Sequence, residues 1–343
     1  MIVFGIETTC DETSVSIVEK KENNEFGNIL VEETLSQIIK HKEFGGVVPE
    51  LASREHSKNL DYLVKRSMKS SKINFNMIDA YAAATGPGLL GALLVGTNYA
   101  KALAVASNKP FISVNHLQGH VLVSRMNKKI NFPFLCLIVS GGHCQIILAH
   151  NERKFKIIGE SIDDAVGEVF DKTSNILGYG YPGGPIIEKL AKRKKNKFKF
   201  NLPKPLLKDK TFNLSFSGLK TAVRRIIESG LKKDEKLDLA FQFQEAITIC
   251  LLEKVKRALK YYKKKYNISD FVLSGGVASN LFIRQSFEQM CTKEEITFFA
   301  PESRLCVDNA SMIAWAGIEM LRNGKIESKI NLSPQPRWRI DKL

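Results

Sequence analysis

The chain has 343 residues, 44% of them hydrophobic, a formal net charge of +15 and a pI near 9.4. This length exceeds what one hydrophobic core usually organises, so we expect two lobes and exclude a small disulfide scaffold. The charge favours a polyanionic partner, because Lys and Arg that neutralise phosphates release counterions. A Lys-, Asn- and Ile-rich composition gives the same charge without such a partner, so both interpretations stay open.

Cysteine spacing and hydropathy indicate the compartment. The six cysteines include no CxxC pair, which is typical of reduced thiols in a cytoplasmic protein. Residues 1–6 read as a strand and lack the features of a signal peptide. The most apolar stretch, residues 80–106, is interrupted by Gly86, Asn98 and Lys101 and predicts a buried element. We therefore predict a cytoplasmic protein with no membrane partner.

Two similar segments about 130 residues apart indicate a duplication. Residues 2–6 form an apolar run, and after a polar turn the alternating residues 14–18 predict a returning strand. Residues 134–139 and 144–148 repeat this pattern around the turn 140–143. Long helical stretches follow each unit, so the sequence predicts a duplicated α/β fold whose halves face each other across a cleft.

Turns rich in glycine or in small hydroxyl residues follow three apolar strands. Gly141 and Gly142 permit a close approach of a ligand that a side chain would block. Residues 271–280 predict a strand, a Gly pair and a helix capped by Ser279 or Asn280, which suits a nucleotide at a helix N-terminus. One such turn is usually an ordinary connection, but three, including the turn after residue 6, favour phosphate binding.

His116 and His120 are four residues apart, which places two imidazoles on one face of a helix and suits two ligands of a metal ion. Two histidines at this spacing are more often ordinary surface or core residues. Asp308 precedes the apolar run 310–321, and by itself it is best interpreted as a helix cap.

Eight motifs occur in order along nearly the whole chain. They are Gly5-Ile-Glu-Thr-Thr-Cys-Asp-Glu-Thr13, Gly86-Pro-Gly-Leu-Leu-Gly91, Asn115-His-Leu-Gln-Gly-His120, Val139-Ser-Gly-Gly-His143, Gly183-Gly-Pro185, Ser215-Phe-Ser-Gly-Leu-Lys220, Gly275-Gly-Val-Ala-Ser-Asn280 and Val307-Asp-Asn-Ala310. Together they resemble the bacterial tRNA N6-adenosine threonylcarbamoyltransferase family, formerly described as endopeptidase-like.

The resemblance implies a fold with two ribonuclease-H-like lobes of the actin, sugar kinase and Hsp70 (ASKHA) type, separated by an interlobe cleft. We place the N-terminal lobe at residues 1–128 and the C-terminal lobe at 129–307. Helix 308–323 is expected to pack near the first lobe, and a basic insert is expected at about 189–236.

The resemblance also implies a metal site made by His116, His120 and Asp308. This N/N/O set leaves coordination positions open and suits one catalytic Fe(II) or Zn(II) ion per subunit, whereas a structural site would want four protein ligands.

The implied reaction transfers a threonylcarbamoyl group from threonylcarbamoyl-AMP to N6 of adenosine 37 in tRNAs that read codons beginning with A. Asp11 or Glu12 is a candidate base, although solvation at a turn or magnesium binding explains these acids as well. The positions matched to substrate contacts are Val139, Ser140, Gly141, Gly142, His143, Asp171, Gly184, Glu188 and Asn280. Glu188 departs from the family pattern, which often has an aspartate there.

The implied partners are tRNA, a smaller paralogue of the same fold that forms a heterodimer, and a small P-loop ATPase. Residues 45–56 and the helix after Gly88 would lie near the heterodimer interface, although core packing explains the apolar run 89–95 as well. With no recognisable RNA-binding module, tRNA would be held mainly by charge, and the candidates are the basic segments 189–199 and 254–265. A solvated surface is the alternative for each segment.

Two other enzyme classes compete with this interpretation. A carbohydrate kinase or Hsp70-like ATPase would share the fold and the phosphate loops but would have no use for two histidines and a distant carboxylate. A metallopeptidase of the HExxH type would need a glutamate general base that the histidine motif lacks. An inactive scaffold is disfavoured because the ligand residues are intact.

Overall fold

A computed structural model of the protein describes residues 1–324, 328 and 330–343. The chain forms two compact units. The first contains residues 1–130, 150–155 and 307–343, and the second contains residues 131–149 and 156–306. The first boundary lies two residues beyond the predicted one, and the C-terminal segment belongs to the first unit. The sequence carries no signal that residues 150–155 also belong there.

The first unit is built on a five-stranded sheet. Its strands are β1 (Ile2–Glu7), β2 (Glu12–Glu19), β3 (Asn28–Ser36), β4 (Ala80–Gly86) and β5 (Phe111–Asn115). Their order across the sheet is β3-β2-β1-β4-β5, with β1 antiparallel to β2 and parallel to β4. Because β4 is also parallel to β5, the carboxyl ends of β1, β4 and β5 lie at one edge of the sheet.

The second unit repeats this topology. Its strands are β6 (Phe134–Val139), β7 (Cys144–Ala149), β8 (Phe155–Glu160), β9 (Asp270–Ser274) and β10 (Thr297–Phe299). Their order is β10-β9-β6-β7-β8, so each strand has a counterpart five strands earlier in the chain. β6 is antiparallel to β7 and parallel to β9, as β1 is to β2 and β4. The predicted duplication is confirmed.

Helices cover the two sheets. They are α1 (Ile38–Lys42), α2 (Pro49–Ser71), α3 (Leu90–Ala106), α4 (His116–Leu122), α5 (Val166–Leu177), α6 (Gly183–Ala191), α7 (Ser217–Glu228), α8 (Lys233–Tyr266), α9 (Leu281–Lys293), α10 (Ser303–Cys306) and α11 (Ala310–Arg322). Among the residues that the structure describes, none of these helices combines the length and apolarity that crossing a membrane requires.

Close packing of α11 on β1 explains one motif residue. A Cβ atom at Gly5 would lie 2.4 Å from the carbonyl oxygen of Ala310 and 2.9 Å from the Cβ of Ala314. A side chain at residue 5 would therefore push α11 away from the sheet. This contact also fixes the position of Asp308, which lies just before α11.

Candidate metal centre and substrate loops

The first turn of α4 is fixed by a capping box. Asn115 Oδ1 accepts hydrogen bonds from the backbone N–H groups of Leu117, at 3.0 Å, and Gln118, at 3.4 Å. The Gln118 side chain accepts one from the Asn115 N–H in return, at 3.3 Å. The helix therefore begins at His116, and both histidines project from one face with their ring centroids 4.8 Å apart.

The structure brings Asp308 to this histidine pair. Asp308 Oδ1 lies 3.1 Å from His120 Nε2 and 3.5 Å from His116 Nε2. Nitrogen and oxygen ligands about 2.1 Å from one ion lie about 3.0 to 3.4 Å apart. The two distances to Asp308 are close to this range, and all three ligand atoms lie within 4.8 Å of one another, so small side-chain rotations would let them share a cation. The histidine side chains are buried, whereas that of Asp308 is 24% exposed. The cluster therefore has an open side, as a catalytic ion requires.

Glu7, which the sequence analysis missed, orients His116. Its Oε2 atom lies 3.1 Å from His116 Nδ1, and its Oε1 atom accepts a hydrogen bond from the Thr9 N–H at 2.6 Å. The carboxylate can only accept, so it keeps a proton on Nδ1 and leaves Nε2 as the nitrogen directed at Asp308. Glu7 is the last residue of β1, and its position at the carboxyl edge of the sheet is the signal that predicts this role.

The electrostatics of the cluster favour a positive charge. Burial lowers the pKa of His116, but the nearby carboxylates of Asp308 and Glu7 outweigh it and raise the pKa to about 9. The imidazole therefore holds a proton at neutral pH, and a divalent cation would replace that proton. The surroundings of this histidine suit a cation rather than an anionic phosphate.

Asp11 and Glu12 differ in their suitability as a base. Burial raises the pKa of Glu12 well above its usual range, and the negative charges of Asp11 and Asp308 raise it further. Glu12 is therefore harder to ionise than an ordinary glutamate. Asp11 Oδ2 is buried and has no hydrogen-bond partner among residues 1–324, 328 and 330–343. Of the two predicted candidates, the geometry favours Asp11 as the proton acceptor.

Hydrogen bonds within the Gly-rich turn after β6 hold its two ends together, while its glycines remain exposed. The Ser140 N–H donates to the carbonyl oxygen of His143 at 2.8 Å, and Ser140 Oγ accepts from the His143 N–H at 3.1 Å. Gly141 and Gly142 are exposed, and no other part of the described chain lies within 4 Å of the position of a Cβ atom on either glycine. Nothing in the packing of the unit itself excludes larger residues there, which favours a ligand as the reason for the glycines.

The turn after β9 lies against the end of β6. Gly275 has φ of +93°, and a Cβ atom there would lie 2.4 Å from the carbonyl oxygen of Val139. Asn280, not Ser279, caps the helix that follows, because its Oδ1 accepts from the Ile283 N–H at 3.1 Å. Its amide group donates to Gln244 at 2.7 Å, so both ends of this buried side chain have structural partners.

The other predicted substrate positions join neighbouring elements. Asp171 accepts a hydrogen bond from the Gly183 N–H at 2.6 Å and so fixes the beginning of α6. Glu188 accepts one from the Leu281 N–H at 3.2 Å and pairs with Lys192 at 2.9 Å, which ties α6 to the beginning of α9. Gly184 is half-buried and has open space around it. These contacts bring the predicted loops of the second unit together.

The five-stranded sheet, repeated in the second unit with the same strand order, defines a class of protein, the ASKHA-type fold. HypF from T. kodakarensis aligns with a TM-score of 0.62 at 13% identity, over 94% of this chain and 48% of that one. The activator of 2-hydroxyisocaproyl-CoA dehydratase from Clostridium difficile aligns with a TM-score of 0.50 at 13% identity, over 95% of this chain and 100% of that one. At these identities the likeness shows the fold alone.

Sequence similarity identifies the family. A profile of the family described as TsaD: tRNA N6-adenosine threonylcarbamoyltransferase matches residues 28–315. The enzyme of that name from Wolbachia sp. subsp. Brugia malayi (strain TRS) is 45% identical over 340 residues, which cover 98% of each chain. The chain belongs to the bacterial tRNA N6-adenosine threonylcarbamoyltransferase family and is a transferase that modifies tRNA.

Proposed function

We propose that the protein transfers the threonylcarbamoyl group from threonylcarbamoyl-AMP to N6 of adenosine 37, in tRNAs that read codons beginning with A. Membership of the family supports the transfer to adenosine. The observation that carries the proposal at the level of the site is the convergence of His116, His120 and Asp308, with Glu7 behind the first histidine. An ATPase or kinase of this fold would have no need of that arrangement.

The reaction is an acyl transfer. The N6 nitrogen forms a bond to the carbamoyl carbon, the bond from that carbon to the anhydride oxygen breaks, and its electron pair leaves with AMP. The nitrogen also gives up a proton, for which we propose the buried, unpartnered Oδ2 atom of Asp11 as the acceptor. The raised pKa of Glu12, caused by burial and by its acidic neighbours, favours a hydrogen-bonding role for this residue.

We propose that His116, His120 and Asp308 hold one divalent ion per subunit, Fe(2+) or Zn(2+). Such an ion, when bound, polarises a carbonyl oxygen and so favours attack on the neighbouring carbon. Glu7 keeps a proton on Nδ1 of His116 and so keeps its Nε2 lone pair available. The capping box of α4 fixes the first turn of the helix that carries both rings.

For the adenylate we propose the turn Val139–His143 as the direct contact, because its two glycines leave room for a phosphate or carbonyl beside the backbone. Gly184 offers similar room. The side chains of Asp171, Glu188 and Asn280 are bonded to neighbouring backbone or side-chain groups, so we propose that they act mainly by holding these loops.

We also propose that the protein works in the cytoplasm with a smaller paralogue of the same fold and a small P-loop ATPase. α2 and α3 support a protein interface, because Tyr62, Leu90 and Leu94 are 55%, 52% and 40% exposed. Ala92 and Leu93 of the same run are buried in the core. The apolar run 89–95 therefore serves both packing and an exposed surface.

The test is a reconstituted reaction. The chain, its proposed partners, the adenylate-forming enzyme, threonine, bicarbonate, ATP and an A-decoding tRNA are incubated, and the digested tRNA is analysed for the modified nucleoside by mass spectrometry. We expect product with the native chain and none with His116→Ala. Product at the native level from His116→Ala would show that the metal cluster is dispensable, and ATP turnover by the isolated chain without product would favour the kinase-like class.

A further inference from the structure

The two predicted basic segments differ in what their cations bind. In the α8 segment, residues 254–265, five of the seven cationic side chains contact oxygen atoms of the protein. Lys254 is buried and donates to the carbonyl oxygen of Thr211 at 2.8 Å, and Arg257 donates to that of Leu207 at 3.1 Å. Most of this charge therefore fastens α8 to its neighbours.

The remaining contacts of the α8 segment have the same character. Lys256 and Lys260 share the Glu294 carboxylate, at 3.1 and 3.9 Å, and Lys263 donates to the Glu294 carbonyl oxygen at 2.9 Å. Lys264 is exposed and has no charged partner among the residues that the structure describes. Lys265 is exposed as well, so two of the seven cations of this segment lack a carboxylate partner in the described part of the chain.

The basic loop, defined here as residues 192–199, is held by its backbone instead. Asp238 Oδ1 accepts hydrogen bonds from the N–H groups of Lys195, at 2.5 Å, and Asn196, at 2.9 Å. Asp238 Oδ2 accepts from those of Lys197, at 2.9 Å, and Phe198, at 3.1 Å. Four successive N–H groups therefore converge on one buried carboxylate of α8.

One helical turn further along α8, Gln242 continues this attachment. Its Oε1 atom accepts from the Phe200 N–H at 2.8 Å, and its amide donates to the Phe198 carbonyl oxygen at 2.8 Å. Asn196 has φ of +57°, which Asn tolerates better than most residues and which lets the chain curl around the carboxylate. The loop has no regular secondary structure but has a fixed backbone.

The hydrogen bonds from Asp238 and Gln242 to the loop backbone, called the clamp here, leave the lysine side chains of the loop exposed to solvent. Lys195, Lys197 and Lys199 are exposed, and none has an acidic partner within residues 1–324, 328 and 330–343. Lys194 instead covers the ring of Phe241, with Nζ 3.4 Å from the ring centroid. Within eight residues the loop carries six cations, and among the residues that the structure describes only Lys192 of these is paired with a carboxylate.

We propose that the basic loop binds the phosphodiester backbone of tRNA, that the α8 segment does not, and that Asp238 is the residue that positions the loop. The proposal rests on the proposed function, because it names the surface by which this transferase would hold its RNA substrate. A loop that is already ordered loses less conformational entropy on binding, so its lysines bind phosphates more tightly than lysines on a mobile chain.

The first experiment compares two charge-matched variants. Lys195→Gln, Lys197→Gln and Lys199→Gln are combined in one full-length chain, and Lys256→Gln, Lys260→Gln and Lys264→Gln in another, so that each loses three charges. Binding of an unmodified tRNA transcript is measured at several salt concentrations. We expect the loop variant to bind about 10-fold to 100-fold more weakly, with a log–log salt slope shallower by about 2. The α8 variant should change the dissociation constant by less than about 3-fold. Equal losses in the two variants, or a larger loss in α8, would overturn the proposal.

The second experiment uses Asp238→Asn. This variant should bind tRNA more tightly if net charge governs binding and more weakly if Asp238 positions the loop. The substitution removes one negative charge, so the net charge rises from +15 to +16, and binding governed by net charge alone would become tighter. We expect tRNA affinity to fall by about 3-fold to 10-fold, because Asn has one acceptor oxygen for four N–H groups and the loop loses its order. Unchanged or tighter binding would overturn the positioning role.

Two controls separate this proposal from the proposed function. Metal content and thermal unfolding of Asp238→Asn show whether the rest of the chain remains folded. Gln242→Met, which removes the donor and the acceptor of Gln242 without changing the net charge, gives a second variant of the clamp and should also bind tRNA more weakly. The loop variant should still bind metal at the native stoichiometry. If the loop variant binds tRNA as well as the native chain does, the proposed RNA-binding surface is wrong but the proposed function still stands. If the native chain binds tRNA tightly but forms no modified nucleoside in the reconstituted reaction, the proposed function is wrong.

Discussion

Asp308 and Asp238 organise two charged regions by opposite means. Asp308 lies within 3.5 Å of two imidazole nitrogens, so the cluster is made of side chains whose chemistry already suits a cation. The Asp238 carboxylate accepts from four backbone N–H groups, and the side chains that we propose to bind RNA are those of the loop it holds. A site made of ligand side chains is visible in residue types and spacing, whereas a site made by fixing a backbone is not.

The largest expected effect is at the imidazoles. His120→Ala should reduce the bound Fe or Zn from about one ion per chain to nearly none and lower transfer by at least about 100-fold, because two ligands rarely retain such an ion. Metal is measured by atomic emission after dialysis, and transfer by the yield of modified nucleoside. His150→Ala, a histidine of the same unit outside the cluster, should keep the native values. Full metal content in His120→Ala would contradict the ligand assignment.

A smaller loss of metal affinity is expected when Glu7, which contacts His116, is changed. Glu7→Gln keeps the size of the side chain but replaces a carboxylate with a neutral amide, so it should weaken metal binding by about 10-fold to 100-fold without abolishing it. Competition with a chromogenic chelator measures this affinity. A loss as complete as that of His120→Ala would mean that Glu7 is itself a ligand, and no loss would remove its orienting role.

The interactions of α8 with neighbouring backbone predict an effect on stability rather than on binding. Lys254→Met keeps the length of the side chain but leaves the carbonyl oxygen of Thr211 without its charged donor, so the free energy of unfolding should fall by about 1 to 3 kcal/mol. Urea unfolding measures this change. At a temperature where the variant is folded, its affinity for tRNA should match that of the native chain. A large loss of affinity would indicate that the α8 segment does bind RNA.

The smallest expected effect is the pH dependence of the clamp. Burial raises the pKa of Asp238, but the backbone N–H groups of residues 195–198 outweigh it and hold the pKa below its usual value of 3.8. The stabilisation is therefore complete above the unfolded-state pKa and is lost as the pH falls through the lower folded-state pKa. Acid unfolding followed by circular dichroism should be less steep below pH 4 for Asp238→Asn, because Asn does not titrate. A slope equal to that of the native chain would show that this carboxylate contributes nothing there.

Local patterns predicted much of the fold. The apolar runs at residues 2–6 and 134–139, each followed by a turn and an alternating segment, correctly indicated the duplicated hairpins β1–β2 and β6–β7. The apolar stretch 80–106 became a buried strand followed by a helix. Such signals lie within a few residues of each other, so hydrophobic periodicity is enough to detect them.

Contacts between residues far apart in the chain could not be predicted from the sequence. Glu7 and His116 are 109 residues apart and meet only because β1 and β5 end at the same edge of the sheet. The basic segments 189–199 and 254–265 look alike as sequences, and only the contacts of Lys254, Arg257 and Asp238 distinguish them.

The sequence by itself determined the types of residue available for chemistry: two imidazoles at helical spacing, three turns of glycine or small hydroxyl residues and two basic segments. The tertiary structure decided which of them have partners, since it placed a carboxylate beside the imidazoles and another under the backbone of one basic segment. The physical reason is that residue chemistry and periodicity are local properties of the chain. Strand order and helix packing instead join groups that are far apart in sequence, and these contacts set the charge and hydrogen bonding of each site.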